Sequence, residues 1–68
     1  MYAVKFTNLH TGKASYTPAW GYVDAWNKKR FEDADLEGVD WHYGEDFVSE
    51  VIDDLDDDFD FDSQPDWN

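Results

Sequence analysis

The chain has 68 residues, no cysteine and a formal net charge of −12 at pH 7. A chain of this length has room for one small domain, and without cysteine it holds neither a disulfide nor a thiolate metal site. So acidic a protein repels DNA, RNA and anionic lipid, which argues against direct nucleic-acid and membrane binding and makes basic protein surfaces the expected partners.

The charge is divided unevenly along the chain. Residues 1–30 contain all five basic side chains and a single acid, whereas residues 31–68 contain sixteen acids and no basic residue. The sequence shows neither a signal peptide nor an apolar stretch long enough to span a membrane, so we expect a cytoplasmic protein.

The N-terminal residues predict a β-hairpin. Tyr2, Val4 and Phe6 recur at every second position, which is the pattern of a strand with one buried face. Residues 8–13 supply turn chemistry, with Gly12 available for a positive φ, and residues 14–17 can return as the second strand.

A helix is predicted after the hairpin. Thr17 and Pro18 form a favourable helix start, with threonine as the cap and proline at the first helical position. Trp20, Val23 and Trp26 then lie roughly along one face, with Phe31 as a further candidate, and we expect this face to be buried. The alternative is that Trp20 and Trp26 form a ligand-binding aromatic pair.

The residues that follow predict a third strand. The helix should end before Gly38, after which Val39, Trp41 and Tyr43 alternate with polar residues.

The segment from Asp46 to Asp58 is predicted to be an amphipathic helix. Its apolar residues recur at three- and four-residue spacing, and its opposite stripe is purely acidic. At a rise of ~1.5 Å per residue the acids would give about one charge per 3.6 Å of helix axis, close to the ~3.4 Å phosphate spacing of one B-DNA strand. The acidic stripe consists of Asp46, Glu50, Asp53, Asp54, Asp57 and Asp58.

These elements predict an α+β fold, a small single domain with a β-hairpin, a helix, a third strand, a C-terminal acidic amphipathic helix and a disordered tail. We expect the domain to span residues 1–59 and the flexible acidic tail to span residues 60–68. The predicted core consists of Tyr2, Val4, Phe6, Tyr16, Trp20, Val23, Trp26, Val39, Trp41, Phe47, Val51, Ile52 and Leu55.

The spacing of the acids suggests a protein whose surface imitates a nucleic-acid backbone. The carboxylates of the predicted helix would replace phosphates. The negative electrostatic field would be extended by Asp33, Asp35, Glu37 and Asp40, and apolar anchoring would come from Phe59 or Phe61. In size and charge the chain resembles the small acidic inhibitors, many of them encoded by bacteriophages, that occupy the DNA site of host nucleases, glycosylases, nucleoid proteins or polymerases. The alternative is that the charges only keep a small domain soluble.

The C-terminal residues offer a second hypothesis. The run Asp57–Asp62 resembles the acidic, aromatic tips with which bacterial single-strand DNA-binding proteins recruit repair and replication enzymes. In that family the tip ends the chain on an apolar residue, whereas here residues 63–68 follow. On this hypothesis the protein recruits a partner without blocking its DNA site.

Metal binding and catalysis receive little support from the sequence. Asp56, Asp58, Asp60 and Asp62 have the spacing with which a calcium loop begins, but the glycine and the glutamate that complete such a loop are missing. His10 is interpreted as a turn residue, and no nucleophile motif is present, so we expect no cofactor and no enzymatic activity.

The protein could be a monomer or a homodimer that meets through its less acidic N-terminal half.

Overall fold

The predicted β-hairpin is present in the computed structural model, which describes residues 1–64 and Trp67. Strand β1 (Ala3–Asn8) pairs antiparallel with β2 (Ala14–Pro18), and Val4 lies opposite Thr17. Gly12 has a φ of 75° in the connecting turn, a conformation that glycine adopts without steric cost. The alternation of residues and the turn chemistry were therefore sufficient to locate both strands.

The segment predicted to be the acidic helix instead contributes a third strand. Strand β3 (Phe47–Ile52) pairs antiparallel with the free side of β1, which gives the strand order β2-β1-β3. The prediction of a helix from Asp46 to Asp58 is wrong, since the residues after Ile52 form bends and turns.

Local chemistry explains why residues 47–52 form a strand. Three of the six residues are β-branched, and such side chains pack well on a pleated surface. Phe47 is fully buried and Ser49 is buried, whereas Glu50 is exposed, as expected when successive side chains point to opposite faces. A helix would have set like charges three and four residues apart and placed acids at its negative end, both of which are unfavourable.

The prediction of a strand at residues 39–43 is also wrong. Val39 is 93% exposed, and Tyr43 makes only an isolated bridge to Phe47. Gly44, with a φ of 86°, donates its N–H to the Phe47 carbonyl at 2.7 Å and turns the chain into β3. The third strand of the sheet is instead formed by residues 47–52.

One helix, α1 (Tyr22–Leu36), packs across β1 and β3. It begins later than predicted, because Pro18 belongs to β2 and Gly21 is the extended residue before the first turn. The Asp24 carboxylate accepts the N–H of Trp20 at 2.9 Å and so fixes the chain that enters the helix. The prediction that the helix ends before Gly38 is confirmed.

The face of α1 that contacts the sheet differs from the predicted one. Ala25 is fully buried against Val4 and Phe6, and its small side chain lets the helix approach the strands closely. Trp20 and Val23 are instead 95% and 70% exposed. The predicted core was therefore wrong at four positions, which are Trp20, Val23, Trp26 and Val39.

An aromatic cluster closes the end of the sheet where β3 begins. The rings of Trp41 and Trp67 stack with centroids 5.1 Å apart, and both contact Phe47 edgewise or tilted. The Trp67 indole donates to the Phe6 carbonyl at 3.1 Å, and the Asn8 amide donates to the Trp67 carbonyl at 3.1 Å. Trp67 thus belongs to the packed structure, while the division into residues 1–59 and a tail at 60–68 stays a prediction.

These elements make a small compact α+β domain, with one helix on a three-stranded antiparallel sheet. In the part of the chain that the structure describes, no helix is long and apolar enough to cross a membrane.

Replacing Phe47 by alanine should show that β3 anchors the core. We expect Phe47→Ala to lower the free energy of unfolding by about 3–5 kcal/mol, since a fully buried ring is lost from the centre of an aromatic cluster. Urea denaturation followed by tryptophan fluorescence measures the loss. The matched control is Val39→Ala, which should change stability by less than ~0.5 kcal/mol. Equal effects of the two substitutions would contradict the observed burial.

Candidate protein-binding surface

A dense run of carboxylates follows β3. We call residues 53–62 the acidic segment, and its seven acids are all exposed. The segment has an irregular backbone with a turn in which the Phe59 N–H donates to the Asp56 carbonyl at 3.1 Å. The seven acids are Asp53, Asp54, Asp56, Asp57, Asp58, Asp60 and Asp62.

The acidic segment is held on the domain at two places, at the N-terminus of the chain and at Tyr16. The N-terminal ammonium of Met1 donates to the Leu55 carbonyl at 2.7 Å, and it lies 3.6 Å from the Asp57 carboxylate. The Phe59 ring packs on Tyr16 and on Phe61, with both centroid distances at 4.9 Å. The apolar side chains of the segment therefore face the domain while its carboxylates face solvent.

The open edge of β2 is occupied by the side chain of Gln64. Its amide accepts the backbone N–H of Tyr16 and donates to the Tyr16 carbonyl, as a neighbouring strand would. An unpaired strand edge is a common site of unwanted association, so this amide both protects the edge and fixes the end of the acidic segment.

The acidic segment is largely without internal counter-charges. Among the residues that the structure describes, the only cation within salt-bridge distance of it is the N-terminal ammonium beside Asp57. The pKa of Asp60 is held below its usual value by hydrogen bonds from the Ser63 side chain and the Asp62 N–H. The segment therefore presents concentrated negative charge that a basic partner could neutralise.

Asp46, a predicted binding residue, is engaged in an internal contact. Its carboxylate lies 2.6 Å from His10 Nε2 and accepts the backbone N–H of His42 at 2.8 Å. These hydrogen bonds, that from His10 foremost, lower the pKa of Asp46. Asp46 thus connects the hairpin turn to the loop before β3, and His10 lies in that turn, as predicted.

Asp33 is likewise held inside the fold. It accepts hydrogen bonds from Lys29, at 2.8 Å, and from the Ser49 hydroxyl, and Tyr43 donates its phenol to the Ser49 carbonyl at 2.9 Å. Burial lowers the pKa of Lys29, but the hydrogen bond and the charge of Asp33 more than offset this and raise it. Sequence reasoning missed this network, although the Lys29–Asp33 spacing of four residues was a visible signal.

The structure does not bring the remaining predicted residues into one row. Glu50 is exposed on β3, with its carboxylate 4.0 Å from the Lys5 ammonium. The acids of the predicted outer field are exposed at the C-terminal end of α1 and in the loop beyond it, namely Asp35, Glu37 and Asp40.

The acidic segment and the helix lie on opposite faces of the sheet. Val4 packs with Ala25 of α1, so its neighbour Lys5 points to the other face. Tyr16 is paired with Lys5 and shares that other face, where Phe59 covers it. The comparison with DNA was based on carboxylates spaced regularly along a helix. Because residues 46–58 do not form a helix, that regular spacing is absent.

No group of three or more His, Cys, Asp or Glu side chains in the described part of the chain is arranged to hold a metal ion. Comparison of the chain with models of protein families, with curated proteins and with solved structures found no match. The surface must therefore be interpreted from its own chemistry.

The internal contact of Asp46 should appear as a pH-dependent difference in stability. A carboxyl whose pKa is lower in the folded protein than in the unfolded chain stabilises the fold above its unfolded pKa of about 4, and this contribution is lost as the pH falls through the folded pKa. We expect Asp46→Asn to lower Tm by a few degrees at pH 7 and to have a much smaller effect near pH 2.

Thermal melts of the variant and the parent across this pH range measure the difference. Asp40→Asn is the matched control, because it removes one exposed charge that makes no hydrogen bond among the described residues. If the difference in Tm between Asp46→Asn and the parent did not change with pH, the ionised carboxylate would not be the stabilising species.

Proposed function

We propose that this protein is a DNA-mimic-type inhibitor that occupies the nucleic-acid-binding site of a basic host protein, such as a nuclease, a repair enzyme, a nucleoid protein or a polymerase. It would be phage-encoded and would act in the host cytoplasm. The observation that carries the proposal is the acidic segment, in which seven of ten residues are exposed carboxylates on an anchored backbone.

Charge density, not helical pitch, supports this binding surface. Contacts at Leu55 and Phe59 keep the segment on the sheet, so its carboxylates are concentrated on one side of the domain. Glu50 on β3 lies on the same face as Lys5 and adds to the field. We leave Asp46 and Asp33 out of the binding surface, since both already accept internal hydrogen bonds. We also leave out Asp35, Glu37 and Asp40, which belong to α1 and the loop after it and not to the acidic segment.

Solubility alone does not account for this distribution. A small domain needs a net charge of magnitude about 2–8 to stay in solution, whereas this chain has −12. The excess is concentrated after β3, where like charges repel each other. A partner with lysine and arginine side chains would relieve that repulsion, and its association would be fast and salt-sensitive.

The recruitment hypothesis has its own supporting observation. The Asp62 N–H donates to the Asp60 carboxylate at 3.0 Å, which forms a turn around the half-buried Phe61. A partner with an apolar pocket and basic rim could bind this turn without entering a DNA site.

A charge-matched pair of variants tests the inhibitor proposal. The site variant replaces Asp53, Asp54, Asp57 and Asp58 by asparagine, and the control variant replaces four acids elsewhere, Asp35→Asn, Glu37→Gln, Asp40→Asn and Glu45→Gln. Both lose four negative charges and replace only exposed residues. We expect the site variant to bind the target roughly tenfold or more weakly and the control variant to bind it nearly as well as the parent.

The target is obtained by affinity capture from bacterial lysate at low salt, and each captured protein is then challenged with duplex DNA. Displacement by DNA and loss of capture at high salt are the expected results. If the target bound both variants equally weakly, the effect would come from overall charge and not from the acidic segment. If duplex DNA did not displace the captured protein, that protein would not be bound through its DNA site, and mimicry would be rejected.

Substitutions at the turn distinguish recruitment from inhibition. We expect Asp60→Asn combined with Asp62→Asn to leave inhibition of DNA binding largely unchanged, since five acids of the segment remain. A recruiter would instead lose partner binding while the partner still bound DNA. Point substitutions are preferable to truncation after Asp58, because Gln64 and Trp67 make hydrogen bonds to the sheet. Circular dichroism checks that the fold is retained.

A further inference from the structure

The helix-facing side of β2 is left open. Helix α1 packs mainly across β1 and β3. Ser15 of β2 lies opposite Phe6 of β1, and Thr17 lies opposite Val4. Directly paired residues share one face of a sheet, and Val4 and Phe6 are packed against Ala25 of the helix. The two hydroxyl residues therefore face the helix side as well, and a cleft of about 340 Å³ remains between α1 and β2.

We call this space the α1–β2 cleft. Its sheet side is lined by the hydroxyl residues Ser15 and Thr17, and its helix side by Phe31, Glu32 and Asp35. The two acids are three residues apart, so they are neighbours on the surface of the helix. The cleft thus brings together two carboxyl groups, two hydroxyl groups and an aromatic ring.

Apolar side chains complete the lining of the cleft. Phe6 is buried in the core, Leu36 packs against the core, and Trp67 is fixed there because its indole donates to the Phe6 carbonyl at 3.1 Å. All three line the cleft. Phe31 is 75% exposed, as expected for a ring at the open side. A cleft of this size with apolar walls and few polar groups has the usual properties of a ligand site.

The charged groups of the cleft are all acidic. Among the described residues that line it, none is basic. Lys28, one helical turn before Glu32, is engaged elsewhere: its ammonium donates to the Pro18 carbonyl at 2.7 Å and lies 3.4 Å from the Asp24 carboxylate. Within the described part of the chain, neither Glu32 nor Asp35 has a cation at salt-bridge distance. The cleft is therefore complementary to a positively charged group.

The surroundings of Glu32 favour a cation for a second reason. Burial raises the pKa of this carboxyl, the charge of Lys28 partly opposes the rise, and the charges of Asp33 and Asp35 add to it. A cation bound in the cleft would stabilise the ionised form of Glu32.

We propose that the α1–β2 cleft binds the guanidinium group of an arginine side chain from a protein partner. Glu32 and Asp35 accept hydrogen bonds from the guanidinium, and the hydroxyls on the β2 side supply further acceptors. The rings of Phe31 and Trp67 contact its flat face and the aliphatic part of the side chain.

Arginine suits this lining better than lysine does. A guanidinium is planar, carries several N–H donors, stacks on aromatic rings and is weakly hydrated, whereas an ammonium is compact and strongly hydrated. A cleft that offers aromatic surface beside several separate acceptors therefore favours the planar cation.

The cleft is separate from the acidic segment. It lies on the helix side of the sheet, while the acidic segment packs on the other side through Phe59 and Tyr16, so one flat partner surface cannot cover both. Binding of an arginine side chain in the cleft thus does not depend on the proposed inhibition, and either can fail without the other.

Titration of the full chain with a capped glycine–arginine–glycine tripeptide tests the proposal. Two-dimensional NMR follows the indole N–H of Trp67 and the backbone N–H groups of Ser15 and Phe31. We expect these signals to shift with a dissociation constant on the order of 1 mM, since a single side chain makes a small contact. No shift up to about 20 mM peptide, or shifts confined to residues 53–62, would overturn the proposal.

A charge-matched pair of variants tests the role of Glu32. We expect Glu32→Gln to weaken binding of the tripeptide about fivefold and Glu37→Gln to weaken it less than about twofold. Both variants lose one negative charge, but Glu37 is exposed beyond the helix and does not line the cleft. If the two variants bound the peptide equally weakly, the attraction would come from the overall charge of the chain and the site would be rejected.

The aromatic contact has its own matched pair. Phe31 and Val23 are both largely exposed on α1, so truncation of either should leave the fold intact. We expect Phe31→Ala to weaken binding about threefold and Val23→Ala to leave it unchanged. Equal binding by the two variants would contradict the stacked arrangement.

Changes to the probe test the chemistry of the ligand. A tripeptide with citrulline in place of arginine keeps the shape but not the charge, and it should not bind; a lysine tripeptide should bind about threefold more weakly. Binding of the citrulline peptide as tight as that of the arginine peptide would overturn the proposal. Free butylguanidine separates the two sources of a guanidinium. If it bound about tenfold more tightly than the arginine peptide, the cleft would be a site for small cations and not for a protein side chain.

Discussion

The pairing of β3 with β1 is the constraint on which the rest of the structure depends. It places Phe47 at the centre of the aromatic cluster, where Trp41, Tyr43 and Trp67 surround it. The regular structure ends at Ile52, because the next two residues, Asp53 and Asp54, have no apolar side chain to place on the sheet. The exposed acidic segment is thus a direct consequence of using residues 47–52 as a strand.

The same pairing determines how α1 lies on the sheet. Ser49 of β3 donates to Asp33, and Lys29 completes the polar contact between helix and strand. The inner face of α1 thus combines this polar network with Ala25 and Leu36, which pack against the core. Val23 and Phe31 are largely exposed and do not belong to this contact.

Local pattern was sufficient for the hairpin and for the end of α1, because alternation, Gly12 and Gly38 act over a few residues. It failed for residues 47–52, whose apolar residues fit a strand and a helix equally well until the β1 partner is known. The acids of the acidic segment were correctly expected at the surface. The roles of Asp33 and Asp46 depend on Ser49 and His10, which lie 16 and 36 residues away in sequence.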